Sequence, residues 1–332
     1  MLILGIDTSC DDTSAAVVKD GTGIVSNIVS NQDEVHKKYG GIVPELASRR
    51  HVELITPVVN EALAIAKKGM SDIDAIAVTH GPGLIGSLLV GVCFAKSLSY
   101  VHNIPIAAVN HLEGHICSYY LESTPVFPFL ALVVSGGHTS IYKVAGNGNY
   151  KELGRTRDDA AGEAYDKVAK LLGYRYPGGP VIDELAAKGD PESVKFPRSF
   201  LKDCYDFSFS GLKTAVLNYV RKNPHASKED IAAGFQAAVI DVLVGRSIEV
   251  MKKQGINRMA LSGGVSANKG LRGAMKDKAS EAGLEIFLPS VHLCTDNAAM
   301  IGTAGYYHIL HGETASFDLN PKAYLPLGSA NG

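Results

Sequence analysis

The sequence contains no CxxC pair, no HExxH and no GxxxxGK[ST], and its LSGGVSANKG turn carries no GxGxxG. Each absence removes a chemistry. Its five cysteines, Cys10, Cys93, Cys117, Cys204 and Cys294, are scattered and odd in number, which excludes a zinc knuckle or disulfide framework and suits a reducing, cytosolic setting. Without HExxH the zinc-protease pattern is missing, and with neither a Walker A loop nor a dinucleotide fingerprint at the LSGGVSANKG turn a nucleotide there must be held differently. A formal net charge of −2 supplies no global basic field, so a nucleic-acid partner would depend on local patches or helper proteins. No apolar run reaches the ~18 residues of a membrane span. The opening MLILGIDTSC has no basic n-region and meets an acid at Asp7, so it is expected to be a buried strand and not a signal peptide. Low-complexity segments and long polar linkers are also lacking.

What is present is globular: 332 residues with 46% hydrophobic and 20% charged side chains, enough for two ordinary domains. Strand-like runs recur at 2–6, 14–18, 75–79, 105–109, 129–134, 140–144, 258–262 and 285–289. Helical patterns lie between several of them. From Pro44 to Lys68, Leu54, Ile55, Val58, Ala62 and Ile65 share a stripe, Pro44 suits a first turn, and Pro57 is expected to kink or divide the helix. Ser227 with Asp230 resembles a capping box before FQAAVIDVLVGRSIEVMKK. Alternating strands and helices predict an α/β protein.

CDDTSAAVV (10–18) and SGGHTSIYKV (135–144) each follow an apolar strand and lead through Thr-Ser into a second one. They read either as two unrelated hairpins or as two copies of one, each opening a domain. Three Gly-rich turns follow strands: HGPGLIGS (80–87), VSGGHTS (134–140) and LSGGVSANKG (261–270). Such turns can merely reverse the chain, or can gather N–H groups into an anion nest beside a helix N-terminus. Three turns with two like hairpins suggest a nucleotide held between similar lobes.

NHLEGH places His111 and His115 four residues apart, directly after a strand. On a helix both rings share a face, which suits a transition metal, although surface or capped histidines show the same spacing. The place of a protease glutamate is taken by Leu112, and Glu113 points off that face. A third ligand must come from afar; CTDNAAM (294–300) offers Asp296, which on sequence grounds alone reads as a helix cap.

Taken together, LGIDTSCDDT, HKKYGGIVPELASRRH, HGPGLIGSLLVG, NHLEGH, LVVSGGHTS, DDAAGEAYDKVAKLLG, YPGGP, FSFSGLKTA, LSGGVSAN and CTDNAAM resemble the bacterial branch of the TsaD family, the tRNA N6-adenosine threonylcarbamoyltransferases, also known as the glycoprotease (Gcp) family. The resemblance runs from residue 2 to about 327. Many members read ETSCDET; here Asp7 and Asp12 replace the glutamates and shorten their reach. The resemblance implies an actin-like ATPase fold, akin to sugar kinases and heat-shock ATPases, of two RNase H-like lobes with a central cleft. The lobes would be 1–126, with 305–328 packing back on it, and 127–304.

The family further implies a divalent ion, Fe2+ or Zn2+, on His111, His115 and Asp296. It implies threonylcarbamoyl-AMP on Val134, Ser135, Gly136, Gly137, His138, Asp166, Gly179, Asp183 and Asn268, with ATP, ADP or Mg2+ as further cleft occupants. Asp11 is the preferred base. The implied reaction carries the threonylcarbamoyl group to N6 of adenosine 37 in tRNAs reading codons that begin with A. Implied partners are tRNA, a TsaB-like paralogue joined through the N-terminal lobe, a TsaE-like ATPase and a TsaC/Sua5-type synthase, all cytoplasmic and without a membrane. The competing readings are an actin-like nucleotide-dependent regulator or scaffold, which needs no histidine pair, and a metalloprotease. Basic clusters stand at His36-Lys37-Lys38, Arg49-Arg50-His51, Arg198 to Lys202 and Arg221-Lys222. Each is either a solvated face or a tRNA contact.

Overall fold

The apolar run LILGID forms strand β1 (Leu2–Asp7), buried along nearly its whole length because helices cover both sides of its sheet. The computed structural model describes residues 1–328. Around β1 lie β2 (Thr13–Lys19), β3 (Gly23–Ser30), β4 (Ala75–Gly81) and β5 (Ile106–Asn110), in the order β3-β2-β1-β4-β5. β1 pairs antiparallel with β2 and parallel with β4. Four helices belong with them: α1 (Asp33–His36), α2 (Pro44–Ala66), α3 (Ile85–His102) and α4 (His111–Cys117).

The second sheet repeats the plan. It contains β6 (Phe129–Val134), β7 (Thr139–Gly146), β8 (Asn149–Arg155), β9 (Arg258–Ser262) and β10 (Glu285–Phe287), ordered β10-β9-β6-β7-β8. Read from its other end, this order has the connectivity of the first sheet, and again the opening hairpin is antiparallel while β6, β9 and β10 run parallel. The two hairpins are therefore copies of one plan. The helices here are α5 (Ala161–Leu171), α6 (Gly178–Ala186), α7 (Ser210–Lys222), α8 (Lys228–Gln254), α9 (Lys269–Glu281) and α10 (Val291–Cys294). Leu130, Leu132 and Val134 of β6 share a core with Tyr165 and Val168 of α5, Phe235 and Val239 of α8 and Leu271 of α9. Among the described residues the last helix is α11 (Ala298–Leu310).

Two compact units result: Met1–Val126 with Asn147–Asn149 and residues 296–328, and Phe127–Gly146 with Tyr150–Thr295. In the first unit the pleat sorts the helices. Ala15 and Val17 share a core with α2 and α3, whereas their neighbours Ala16 and Val18 meet α11 through Ala298 and Ala299. A glycine is needed where α11 crosses β1: a Cβ on Gly5 would lie 2.2 Å from the Ala298 carbonyl oxygen. That close approach sets the start of α11 beside β1. After α11, Ala315 N–H donates to Ile106 and Lys322 N–H to the His80 carbonyl, fastening the tail to β5 and β4.

Several expectations needed correction. Pro57 does not divide α2, which runs on for 23 residues. Its buried stripe is His51, Ile55, Val58, Val59, Ala62 and Leu63, and Ile65 is exposed. Ser227 caps α8 by accepting from Asp230 N–H at 3.1 Å, but the Asp230 carboxylate serves Asp190 N–H, so no reciprocal box closes. Two helices, α3 and α8, are long and apolar enough to cross a membrane by length and composition. α8 has that character as the core helix of its unit; α3 buries one side and leaves Ile85, Leu89, Tyr100 and Val101 exposed.

Candidate metal centre

Strand β5 ends at Asn110, whose side-chain oxygen accepts from Leu112 N–H at 2.9 Å and starts α4 at His111. One turn later comes His115. The two rings meet edge to face with centroids 4.7 Å apart, and both are buried. Opposite them, α11 is capped by Asn297, which accepts from Met300 N–H at 3.1 Å. Asp296 is therefore not the cap that its sequence context suggested. With its neighbour doing that task, its carboxylate turns to the histidines: Oδ1 lies 3.5 Å from His111 Nε2 and 3.2 Å from His115 Nε2.

These three residues offer ligand atoms all within 4.8 Å of one another. Among the described residues, both ring nitrogens of His115, Nδ1 of His111 and Oδ2 of Asp7 find no hydrogen-bond partner although buried. Leaving such groups unpaired is costly, and a common cation is what their convergence suits. Asp7 stands behind His111, with Oδ2 3.6 Å from Nδ1, while its Oδ1 accepts from Ser9 N–H at 3.1 Å. That is the arrangement in which a carboxylate sets the orientation of a metal-binding imidazole.

The electrostatics agree. Burial alone would lower His111, yet Asp296 and Asp7 outweigh it and hold the imidazolium at about 9. Burial pushes the Asp7 carboxyl up, His111 opposes, and Asp296 adds to the rise. Burial would raise Asp296 as well, but His111 and His115 keep it well below the usual carboxylate range. The buried Asp7 and half-buried Asp296 carboxylates thus demand positive charge, and a divalent cation meets that demand better than one proton. Two imidazoles and one carboxylate also leave coordination positions for a substrate. The residues fit a metal ion.

Glu113, which faces away from this centre, pairs with His308 of α11 at 2.9 Å, and the far nitrogen of His308 lies 2.6 Å from Glu313. The pair ties α4 to α11 at a second point. Burial lowers His308, but Glu113 and Glu313 hold it at about 9, above its ordinary 6.5. A raised pKa means the stabilisation is complete below about pH 6.5 and is lost as pH climbs through about 9. The His308→Gln variant should therefore be less stable than the parent by roughly 1–3 kcal/mol near pH 6, with the gap closing by about pH 10. Denaturant midpoints across that range check this; a gap independent of pH would contradict it.

The acidic turn between β1 and β2 is held by His51 of α2, which sequence reasoning had placed in a basic cluster. Its Nε2 lies 3.0 Å from the Cys10 carbonyl and its Nδ1 2.8 Å from Thr13 Oγ1. Burial lowers His51, so a neutral ring donates from Nε2 to the carbonyl and accepts from the hydroxyl. Asp11 and Asp12 ride on this turn. Burial, then Asp296, Asp11, Asp33 and Asp7 hold Asp12 at about 8, a crowding that a nearby cation would relieve.

Within the second unit the Gly-rich turn after β6 closes on itself. Ser135 N–H donates to His138 O at 2.8 Å, and His138 N–H to Ser135 Oγ at 3.1 Å. A Cβ on Gly136 or Gly137 would meet nothing within 4 Å, so one side of this turn is open, and Val134 precedes it as the last residue of β6. Asp166 of α5 accepts from Gly178 N–H at 2.7 Å, fixing the start of α6, next to Gly179. Asp183 of α6 accepts from Gln236 Nε2 at 3.0 Å and from Lys269 N–H at 3.1 Å. Asn268 caps α9 through Leu271 N–H at 2.8 Å. The residues expected at the metal thus belong to the first unit, and those expected at the adenylate to the second.

The basic clusters are partly spent on local ion pairs. Arg49 meets Glu45, Arg50 meets Glu53, Lys37 meets Glu34 and Arg198 meets Asp241. Exposed pairs of this kind contribute little to stability and mute the local field.

A family model described as TsaD, tRNA N6-adenosine threonylcarbamoyltransferase, matches residues 23–303. A protein of that name from Thermodesulfovibrio yellowstonii is 57% identical over 98% of this chain and 100% of its own length. Namesakes from Geotalea uraniireducens and Clostridioides difficile are 53% and 51% identical, over 99% and 98% of this chain and 97% and 98% of their own. Among solved structures, full-length HypF in its phosphate- and nucleotide-bound form is similar at a TM-score of 0.63 and 17% identity, over 93% of this chain and 55% of that one. Component A of the Acidaminococcus fermentans (R)-2-hydroxyglutaryl-CoA dehydratase is similar at 0.53 and 19%, over 92% and 97%. These two likenesses show the fold, the actin-like ATPase arrangement of two like α/β sheets.

Proposed function

This chain belongs to the TsaD family of tRNA N6-adenosine threonylcarbamoyltransferases, and we propose that it transfers the threonylcarbamoyl group from threonylcarbamoyl-AMP to N6 of adenosine 37 in tRNAs reading codons that begin with A. The donor is a mixed carbamic–phosphoric anhydride, so its carbonyl carbon is activated and AMP leaves readily. The acceptor amine is weak because its lone pair is delocalised into the purine. As N6 attacks the carbonyl carbon, the new C–N bond replaces the bond to the phosphate oxygen, and one N6 proton must be removed.

The convergence of His111, His115 and Asp296 carries this reading. A divalent iron or zinc ion held there would supply a Lewis acid for the donor carbonyl; the donor set suits either metal. Asp7 sets the His111 ring so that its Nε2 shares a target with the Nε2 of His115. Asp11, on the turn that His51 fixes, is the proposed acceptor of the N6 proton. The turn around Val134, Ser135, Gly136, Gly137 and His138 would steady the phosphate through its N–H groups. Asp166, Gly179, Asp183 and Asn268 would contact the remaining nucleotide.

For partners, we assign the exposed apolar side of α3, with Ile85, Leu89, Tyr100 and Val101, to a TsaB-like paralogue. A TsaE-like ATPase and a TsaC/Sua5-type synthase supplying the donor complete the proposed cytoplasmic system. Incubating the metal-loaded chain with unmodified tRNA and threonylcarbamoyl-AMP, with and without the paralogue, tests the reading. Mass spectrometry of tRNA nucleosides should show threonylcarbamoyladenosine, in higher yield with the paralogue. AMP release without the modified nucleoside under both conditions would refute transfer.

A further inference from the structure

A buried amide that none of the proposed chemistry uses lies between two residues that do take part in it. Gln236, on α8, is 7% exposed in a stretch otherwise occupied by core side chains. Its Nε2 donates to Asp183 Oδ1 at 3.0 Å, and its Oε1 accepts from Asn268 Nδ2 at 2.7 Å. We propose that Gln236 is a positioning residue for the adenylate site, setting Asp183 and Asn268 in the geometry that receives the nucleotide. The proposal rests on the nucleotide reading given above.

The direction of every bond in this network is fixed by its chemistry. The Asp183 carboxylate can only accept, so the amide nitrogen of Gln236 must face it. Asn268 Oδ1 is committed to Leu271 N–H as the cap of α9, so its amide nitrogen must face Gln236 Oε1. The second oxygen of Asp183 takes Lys269 N–H, the first donor of α9. One glutamine therefore links α6, α8 and α9 through two side chains expected to touch the ligand. Gly270 leaves room for this amide: a Cβ there would stand 2.8 Å from Gln236 Nε2. Its partners keep their other bonds, to Leu271 N–H and Lys269 N–H, so losing Gln236 leaves the buried Asn268 amide nitrogen and one Asp183 oxygen unpaired and the two side chains no longer set against each other.

The test uses the full chain and AMP, the stable product of the proposed reaction, with Gln236→Met as an apolar replacement of similar length. Calorimetry should show AMP affinity falling about tenfold, the scale of one lost hydrogen bond to a charged group. KM for threonylcarbamoyl-AMP should rise by the same factor while kcat and the KM for tRNA stay within about twofold, since positioning acts on donor binding alone. Gln236→Asn, one methylene too short to span both partners, carries the same expectation should the methionine variant not fold. Unchanged AMP affinity in a folded variant would overturn the proposal. So would a tRNA affinity that falls in parallel with donor affinity, which marks a merely structural role. If the parent chain itself does not bind AMP, the nucleotide reading fails, a result distinct from either of those.

Discussion

Replacing His111 and His115 together by alanine should reduce bound metal from about one ion per chain to none and abolish transfer. Each ring presents Nε2 to Asp296 Oδ1, at 3.5 and 3.2 Å, and no other histidine joins that cluster among the described residues. With both rings gone, Asp296 alone cannot retain a dication against water. The backbone should survive, because α4 is held independently: Asn110 caps its start, and the Glu113–His308 pair ties it to α11. Because an ion that binds only the native state stabilises it by mass action, a chelator should lower the melting temperature of the parent and leave that of the double variant unchanged. Metal analysis after dialysis is the primary readout. Stoichiometric metal in the double variant would place the ion elsewhere, and an unfolded variant would mean the rings support α4 in a way the geometry does not suggest.

The parts of this molecule that could be read from sequence are those whose signal is local. β1, β2, β6 and β7 announce themselves as apolar runs separated by polar turns, and their repetition foreshadowed the shared strand order of the two sheets. β3 and β8 were missed because they lie at sheet edges, where GIVSNIVS and NYKELGR mix exposed and polar positions with buried ones. Asp296 and Asn297 illustrate a limit of capping rules, since either can cap a helix and only the fold decides which one turns away. His51, Gln236 and His308 were not legible as site residues at all. His51 reaches Thr13 across 38 residues, Gln236 reaches Asn268 across 32, and His308 reaches Glu113 across 195. No spacing rule connects such pairs. In hindsight the one available signal was a polar residue inside an apolar helical stripe, as His51 sits between Ala47 and Ile55 and Gln236 beside Phe235.

The second large effect should come from a glycine. Gly263 follows β9 with φ 87° and ψ 156°, a region that residues with a side chain hardly enter. A Cβ there would also stand 2.4 Å from the Val134 carbonyl oxygen, at the end of the neighbouring strand β6. Gly263→Ala therefore combines backbone strain with a clash against backbone, and should lower stability by at least about 2 kcal/mol. Relief can come only by moving Val134, and the Ser135–His138 turn moves with it, so AMP affinity should fall as well. Gly136→Ala supplies the contrast. It stands within that turn, its φ is not positive, and its Cβ would meet nothing within 4 Å. Its stability should match the parent within about 0.5 kcal/mol. If the nucleotide lies against the open side of the turn, Gly136→Ala should still weaken AMP binding, because the added methyl group occupies the ligand's space. Calorimetric AMP titration and denaturant unfolding of both variants separate the two cases. An unperturbed Gly136→Ala affinity would move the phosphate away from this turn, and a Gly263→Ala protein as stable as the parent would mean that β6 and β9 are not as closely apposed as the strand pairing requires.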